Sequence, residues 1–137
     1  MTSKEAVGVF ICCEDSVILS RRITTYQGNK VPYGGYWAPF AGLVEAGESL
    51  TQAAVRELKE ETGLSVKESD LDYMNKFESE NRQFTVFVLN VESFPAIELC
   101  EEHTDTGYFR IDAIDQLPSD YKTDKELVTS LQKYKKK

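Results

Sequence analysis

The chain opens on two β-rich runs, VGVFICC (Val7 to Cys13) and SVILSRR (Ser16 to Arg22), parted by Glu14 and Asp15. Two short apolar runs around a polar pair predict a hairpin. The stretch ITTYQGNKVPYGGYW carries Gly28, Pro32, Gly34 and Gly35 and predicts a long loop. From Ser49 to Thr62 the pattern turns helical. Ser49-Leu50-Thr51-Gln52 fits a capping box, and Gly63 fits the residue that stops the helix. Asp70 to Glu78 and Arg82 to Glu92 predict paired strands. In the second, Phe84, Val86 and Val88 alternate with Thr85, Phe87 and Leu89, so both of its faces are expected to be covered. TGYFRI (Thr106 to Ile111) predicts a further short strand, and DAIDQLP a helical turn stopped by Pro118. The last segment, Thr123 to Lys137, predicts a final helix. Helices alternating with mostly non-local strands predict one α/β domain over residues 1–137, a sandwich around a mixed β-sheet.

Composition narrows the classes. A 41% hydrophobic content supplies a core, and no run of about 18 apolar residues is present to span a membrane. Lys4 and Glu5 precede the first apolar stretch and Glu14 and Asp15 follow it, which suits a first strand rather than a secretion signal. A net charge of -7 argues against a grip on long nucleic acid, which needs a basic surface. A small polyanion remains an acceptable partner if a metal ion screens it. The one basic cluster, Tyr134 to Lys137, suits the C-terminal end of a helix. Cys12, Cys13 and Cys100 show no CxxC spacing and read as thiols of a reducing cytoplasm.

The chemistry concentrates in the first helix. On a wheel of about 100° per residue, Glu57, Glu60 and Glu61 fall within about 100° of arc, on the side of Leu50, Ala53, Ala54 and Leu58. Neighbouring acids repel, and near a helix C-terminus they also meet the negative end of the dipole. Arg56 can relieve Glu60 at i,i+4, and a divalent cation would compensate the other two. Carboxylate oxygens suit Mg²⁺ or Mn²⁺. Gly42 and Gly47 bracket the loop before the helix and allow a tight turn and close approach of backbone to a ligand. Glu48 stands just ahead of the cap, where an anion is favoured.

These residues carry a family resemblance. Gly42, Glu48, Arg56, Glu57, Leu58, Glu60, Glu61, Gly63 and Leu64 match every fixed position of the Nudix box, G-x5-E-x7-R-E-U-x-E-E-x-G-U, with U a bulky aliphatic. The resemblance implies an α/β/α sandwich with a mixed sheet. It implies Mg²⁺-dependent hydrolysis of a pyrophosphate linkage in a nucleoside diphosphate joined to a group X, with Mn²⁺ able to substitute. Glu57, Glu60 and Glu61 correspond to the family's metal ligands, and Glu57 or Glu60 is the candidate to orient or deprotonate water. Arg56 would hold a catalytic carboxylate, with Glu48 as a further orienting residue. The family often adds a carboxylate from a later loop. Here Glu98, Glu101, Glu102 and Asp105 are available, and Glu102 is the choice for extra metal ligand or general base, with Glu101 next. Tyr108 stands where many relatives have Trp. One departure is Pro39-Phe40-Ala41-Gly42 in place of the usual Pro-Gly-Gly, which leaves the carbonyl of Ala41 as a candidate metal ligand.

Substrate is less constrained. SENRQ (Ser79 to Gln83) lacks the proline or tyrosine associated with ADP-ribose or dinucleoside polyphosphates, and the pattern for NADH-type substrates is also missing. The reading is therefore a (d)NTP pyrophosphohydrolase. The alternatives are a nucleotide-sugar or ADP-ribose type hydrolase, or a non-catalytic nucleotide-sensing module. Tyr26, Tyr33, Tyr36, Trp37 and Phe40 crowd the loop before the box; Trp37 and Phe40 are candidates to stack a base, or else pack the core. Of Arg21 and Arg22, one should face the cleft and meet phosphate. His103 reads as a surface or hydrogen-bonding residue. The expected partner is a small nucleotide, with no long nucleic acid and no membrane, in a cytoplasmic monomer or homodimer.

Overall fold

The computed structural model describes residues 4–30, 34–98 and 103–136. In chain order the strands are β1 (Lys4–Cys13), β2 (Ser16–Arg22), β3 (Thr25–Tyr26), β4 (Asn29–Lys30), β5 (Trp37–Ala38) and β6 (Phe40–Leu43). Helix α1 (Leu50–Thr62) follows, then β7 (Leu71–Ser79), β8 (Arg82–Asn90), β9 (His103–Arg110) and helix α2 (Lys125–Lys135). Short 3₁₀ turns occupy Glu68–Asp70 and Ile111–Gln116.

The expected hairpin is β1–β2, with Ile11 opposite Ile18. Beyond that pair the two strands part. β9 lies along the whole of β2 on one side, from Ser16↔Arg110 to Arg22↔His103. On its other side β2 pairs with β5 through Ser20↔Ala38 and Arg21↔Trp37. β1 meets β6 through Ala6↔Leu43 to Val9↔Phe40. Both pairings are antiparallel, so the chain reverses at Pro39 inside the fork between β1 and β2. β8 runs parallel to β1 on its far side, and β7 closes that flank antiparallel to β8. The sheet is mixed, as expected.

Alternation distributes the core between two layers. Val7, Val9, Ile11, Ile18, Phe40, Phe87 and Leu89 pack beneath Ala53, Ala54 and Leu58 of α1. Phe10, Cys12, Val17, Leu19, Val86 and Val88 pack against Ile111, Ile114 and the α2 residues Val128 and Leu131. β8 is covered on both faces, as its sequence predicts. Each such aliphatic side chain contributes about 1.5–3 kcal/mol on full burial. The molecule is an α/β/α sandwich.

Two expectations change. The stretch expected to be one long loop contains the β3–β4 hairpin, turned through Gln27 and Gly28 at φ of 51° and 82°. A two-residue turn with both φ positive matches the strand twist there, and glycine suits its second position. The same stretch ends in β5, which fills the fork. The final helix starts at Lys125 because the Asp124 side chain accepts from the N–H groups of Glu126 and Leu127. Among the described residues no helix is long and apolar enough to cross a membrane. Cys12 is buried and Cys13 partly so, both as free thiols, and burial pushes Cys12 up to about 12.

Candidate active site

The site is built on the join between β6 and α1. Helix α1 begins with the predicted capping box: the N–H of Gln52 donates to Ser49 Oγ at 3.1 Å, and the N–H of Ser49 donates to Gln52 Oε1 at 2.8 Å. Gly63 ends it in the left-handed region, donating to the Lys59 carbonyl at 2.9 Å. In between, the inward stripe of Ala53, Ala54 and Leu58 seats the helix on the sheet and carries Glu57 and Glu61 inward with it.

The three acids part company in environment. Glu61 is 2% exposed. The Glu57 side chain is 15% exposed and lies directly over Gly42 of β6. A Cβ built on Gly42 would stand 2.1 Å from the Glu57 carboxyl carbon. Gly42 therefore serves as a cradle within a strand, whereas the sequence suggested a turn. Glu60, 57% exposed, lies outside and reaches back to Arg56.

Arg56 is the hub. Its Nε and Nη2 donate to both oxygens of Glu48, at 2.7 and 2.9 Å, in the forked geometry that guanidinium and carboxylate share. Nη2 also donates to the Leu43 carbonyl at 2.9 Å. Nη1 donates to Glu57 at 2.9 Å and to Glu60 at 3.1 Å, with Glu45 at 3.6 Å. The expected i,i+4 pair with Glu60 is present, but Glu48 is the principal partner. Glu48 also accepts from the Glu45 N–H at 2.9 Å, and its hydrogen bonds with Arg56 hold it down at about 2.

Glu57 moves the other way. Burial raises its carboxyl to about 7. The hydrogen bond from Arg56 opposes the rise, while the charge of Glu61 and a hydrogen bond with it add to the rise. Two carboxyls pressed together, one inside the core and one in a backbone cradle, form an all-oxygen donor pair short of positive charge. That donor set fits a hard divalent cation. Among the described residues no group of three acid, histidine or cysteine side chains converges to enclose one. Glu101 and Glu102, the expected contributors from the later loop, lie outside the described residues, as does Cys100. The loop does reach the site, because Glu98 N–H donates to the Thr62 carbonyl at 3.0 Å, beside Glu61.

Register sorts the substrate candidates. Ile18 faces α1, so by alternation Ser20 shares that face, while Arg21 projects to the α2 side beside Trp37. The β2–β9 register shifts between Arg21 and Arg22 with the extra residue on β9, so β2 keeps its alternation and Arg22 returns to the α1 side. Arg22, the cation on the acid-bearing face, has a buried Nε with no hydrogen bond among the described residues. Phe40 is 1% exposed and sits in the α1-side core; with no ring face to offer, it is corrected to a core residue. Trp37 is locked into an aromatic group on the α2 side, stacked on Tyr121 at 5.6 Å and edge-on to Phe109 at 5.4 Å. Arg21 and Trp37 thus lie on the face opposite the acids. Ala41 is half-buried in β6 opposite Gly8. Glu45 also joins the charge hub, although nothing in its spacing marks it in the sequence.

A family description, NUDIX domain, matches residues 2–131. The chain belongs to the Nudix family. Among curated relatives, an octanoyltransferase of Myxococcus xanthus is 59% identical over 44 residues, covering 32% of this chain and 12% of that protein. The NAD-capped RNA hydrolase NudC of Pseudomonas aeruginosa is 33% identical over 116 residues, covering 81% of this chain and 37% of the relative. This chain thus spans well under half the length of those curated relatives. The MutT protein of Methanosarcina mazei Go1 superposes with a TM-score of 0.75 at 19% identity, covering 98% of this chain and 94% of that one. A bifunctional NMN adenylyltransferase/ADP ribose pyrophosphatase of Francisella tularensis, in complex with AMP and a Mn ion, gives a TM-score of 0.70 at 20% identity, over 98% of this chain and 42% of that one. At these identities the two structures establish the Nudix fold alone.

Proposed function

We propose that this Nudix chain is a divalent-metal-dependent hydrolase that cleaves the pyrophosphate linkage of a nucleoside diphosphate joined to a group X, with a nucleoside triphosphate or its deoxy form as substrate. The observation that carries the proposal is the Glu57–Glu61 pair, with Glu57 held over Gly42 and Glu61 buried in the core beside it. Glu57, Glu60 and Glu61 would hold Mg²⁺ or Mn²⁺, with the Ala41 carbonyl and Glu102 as further ligands. When bound, such an ion supplies charge neutralisation at the phosphates and a more acidic water. The chain's own residues do the rest. Arg56 fixes Glu57 by a charge-assisted hydrogen bond, and Glu48 fixes Arg56 in turn. Glu57, held by Arg56 at 2.9 Å, is a candidate to orient or deprotonate the water, with Glu60 and Glu102 as the alternatives. Arg22 meets a phosphate from the sheet side. The partner is a small nucleotide and the setting cytoplasmic, as monomer or homodimer.

A second reading, a dinucleotide substrate, is supported by the NudC relative, whose name gives NAD-capped RNA as its substrate.

The test is chromatographic separation of the hydrolysis products of NTPs, dNTPs, ADP-ribose, nucleotide sugars, NAD and a dinucleoside polyphosphate, with Mg²⁺ and with chelator; triphosphates give pyrophosphate and a monophosphate, and a dinucleotide gives two monophosphates. Metal-dependent release of pyrophosphate from triphosphates, abolished in Glu61→Gln, is the expected result. Preference for a dinucleotide selects the second reading. Silence across the panel from folded protein overturns both.

A further inference from the structure

We propose that Tyr108, backed by Phe94, is the nucleobase platform of this site; the inference rests on the nucleotide reading above and adds where the base is held. Tyr108 stands opposite Ile18 in the β2–β9 ladder, and Ile18 belongs to the core beneath α1. Its side chain therefore projects from the face that carries the acids. It is also 59% exposed. On the opposite face the sheet closes its aromatic residues on one another, Trp37, Phe109 and Tyr121 lying within 6.1 Å of each other by ring centroids. On the acid-bearing face two large rings are open among the described residues, Tyr73 on the outer strand β7 against Phe87 and Tyr108 on β9. Of the two, Tyr108 lies on the strand paired with β2, which carries Arg22.

Phe94 makes that ring a fixed shelf. The two rings are 4.9 Å apart and tilted by 52°, and Phe94 packs on the α1-side core. The shelf is tied to the acid helix, because the loop carrying Phe94 is bonded to the Thr62 carbonyl through Glu98. A tyrosine held on one side and open on the other offers a rigid π-surface at little cost in side-chain entropy.

Charge sets the direction of the ligand. Arg22 lies on the same face as Ile18, four positions along β2, or roughly 13 Å at the rise of a strand. Phosphates anchored by Arg22, with a divalent cation between them and the Glu57–Glu61 pair, would send a nucleoside along the β2–β9 ladder to Tyr108. Stacking reads ring area rather than hydrogen-bonding pattern. The platform therefore favours purines over pyrimidines without selecting one purine.

The first experiment is independent of turnover. Tyrosine-ring NMR resonances are followed with Mg²⁺ present while AMP, which has no pyrophosphate linkage to cleave, and separately ribose 5-phosphate, is added; the Tyr108 signal is the one absent from Tyr108→Phe. AMP is expected to shift that signal upfield and ribose 5-phosphate to leave it in place. With the best substrate of the panel, Tyr108→Ala is expected to raise KM about tenfold with kcat within about twofold, and Tyr108→Phe to restore KM. Phe94→Leu, which keeps apolar packing and removes the ring, should give an intermediate KM. An unchanged KM in Tyr108→Ala, or equal shifts with both ligands, overturns the platform. A Tyr108 shift with AMP in a protein that turns over nothing overturns the hydrolase reading and leaves the platform standing.

Discussion

At position 42 a single hydrogen atom decides where a carboxylate can lie. The Glu57 carboxyl occupies the volume that any side chain at Gly42 would claim. Gly42→Ala is expected to push Glu57 from its bond with Arg56 while the β1–β6 ladder persists. A displacement on the order of 1 Å at a reacting group costs about 100-fold in rate. Steady-state kinetics should show that loss in kcat, with a circular dichroism spectrum like that of the parent. Glu57 also sets a pH signature. Its folded value of about 7 lies above the ordinary carboxylate range, so the folded chain holds this proton more tightly than the unfolded one. The advantage is full below about pH 4.5, shrinks as pH rises, and is gone above about pH 7. Glu48, held down at about 2, behaves in the opposite sense: its contribution is present above the ordinary carboxylate range and lost as pH falls toward 2. In chelator, thermal melts should therefore show Tm falling between pH 5 and pH 7.5. Glu57→Gln should flatten that slope; an unchanged slope would place the buried proton elsewhere.

Among the elements, α1 was the most legible. Its cap and its stop follow from spacing within one segment, and the helix obeys them to the residue; of the three acids expected on the inward arc, Glu57 and Glu61 turn inward while Glu60 lies outside. Because the box is reciprocal, Ser49→Ala removes the acceptor for the Gln52 N–H and loosens the helix start, at about 1 kcal/mol. A shift in the urea midpoint with unchanged slope would report it. The strands around the helix were less legible. β6 is the short run Phe-Ala-Gly-Leu, with little strand propensity of its own, and it is a strand because β1 offers it a ladder. β5 and the β3–β4 hairpin lie in a stretch whose glycines and proline signal turns, which hid the pairing between those turns. Trp37 follows the alternation of β5 onto the α2 side, whereas Phe40 of β6 is on the acid side but sealed in the core beneath α1.

For the molecule as a whole, what could be read was whatever depends on near neighbours in sequence. The acids of α1, the double-sided β8 and the two-layer architecture belong to that class. The face assigned to Arg22 and Tyr108 does not, because it depends on β2 meeting a strand more than eighty positions away. The same distance governs the centre of the sheet. β1 lies parallel to β8 from Lys4↔Arg82 to Cys12↔Asn90. Parallel partners cannot be joined by a tight turn, so this ladder forms only after the intervening chain has been ordered or carried across. On a ribosome, Val7, Val9 and Ile11 are made well before the strand that pairs with them in parallel, which follows 78 positions later. Until Asn90 emerges, an apolar strand edge waits open to any other strand it meets. For this enzyme fold, the speed of translation past β8 and the shelter given to the nascent β1 edge set how much of the chain escapes aggregation.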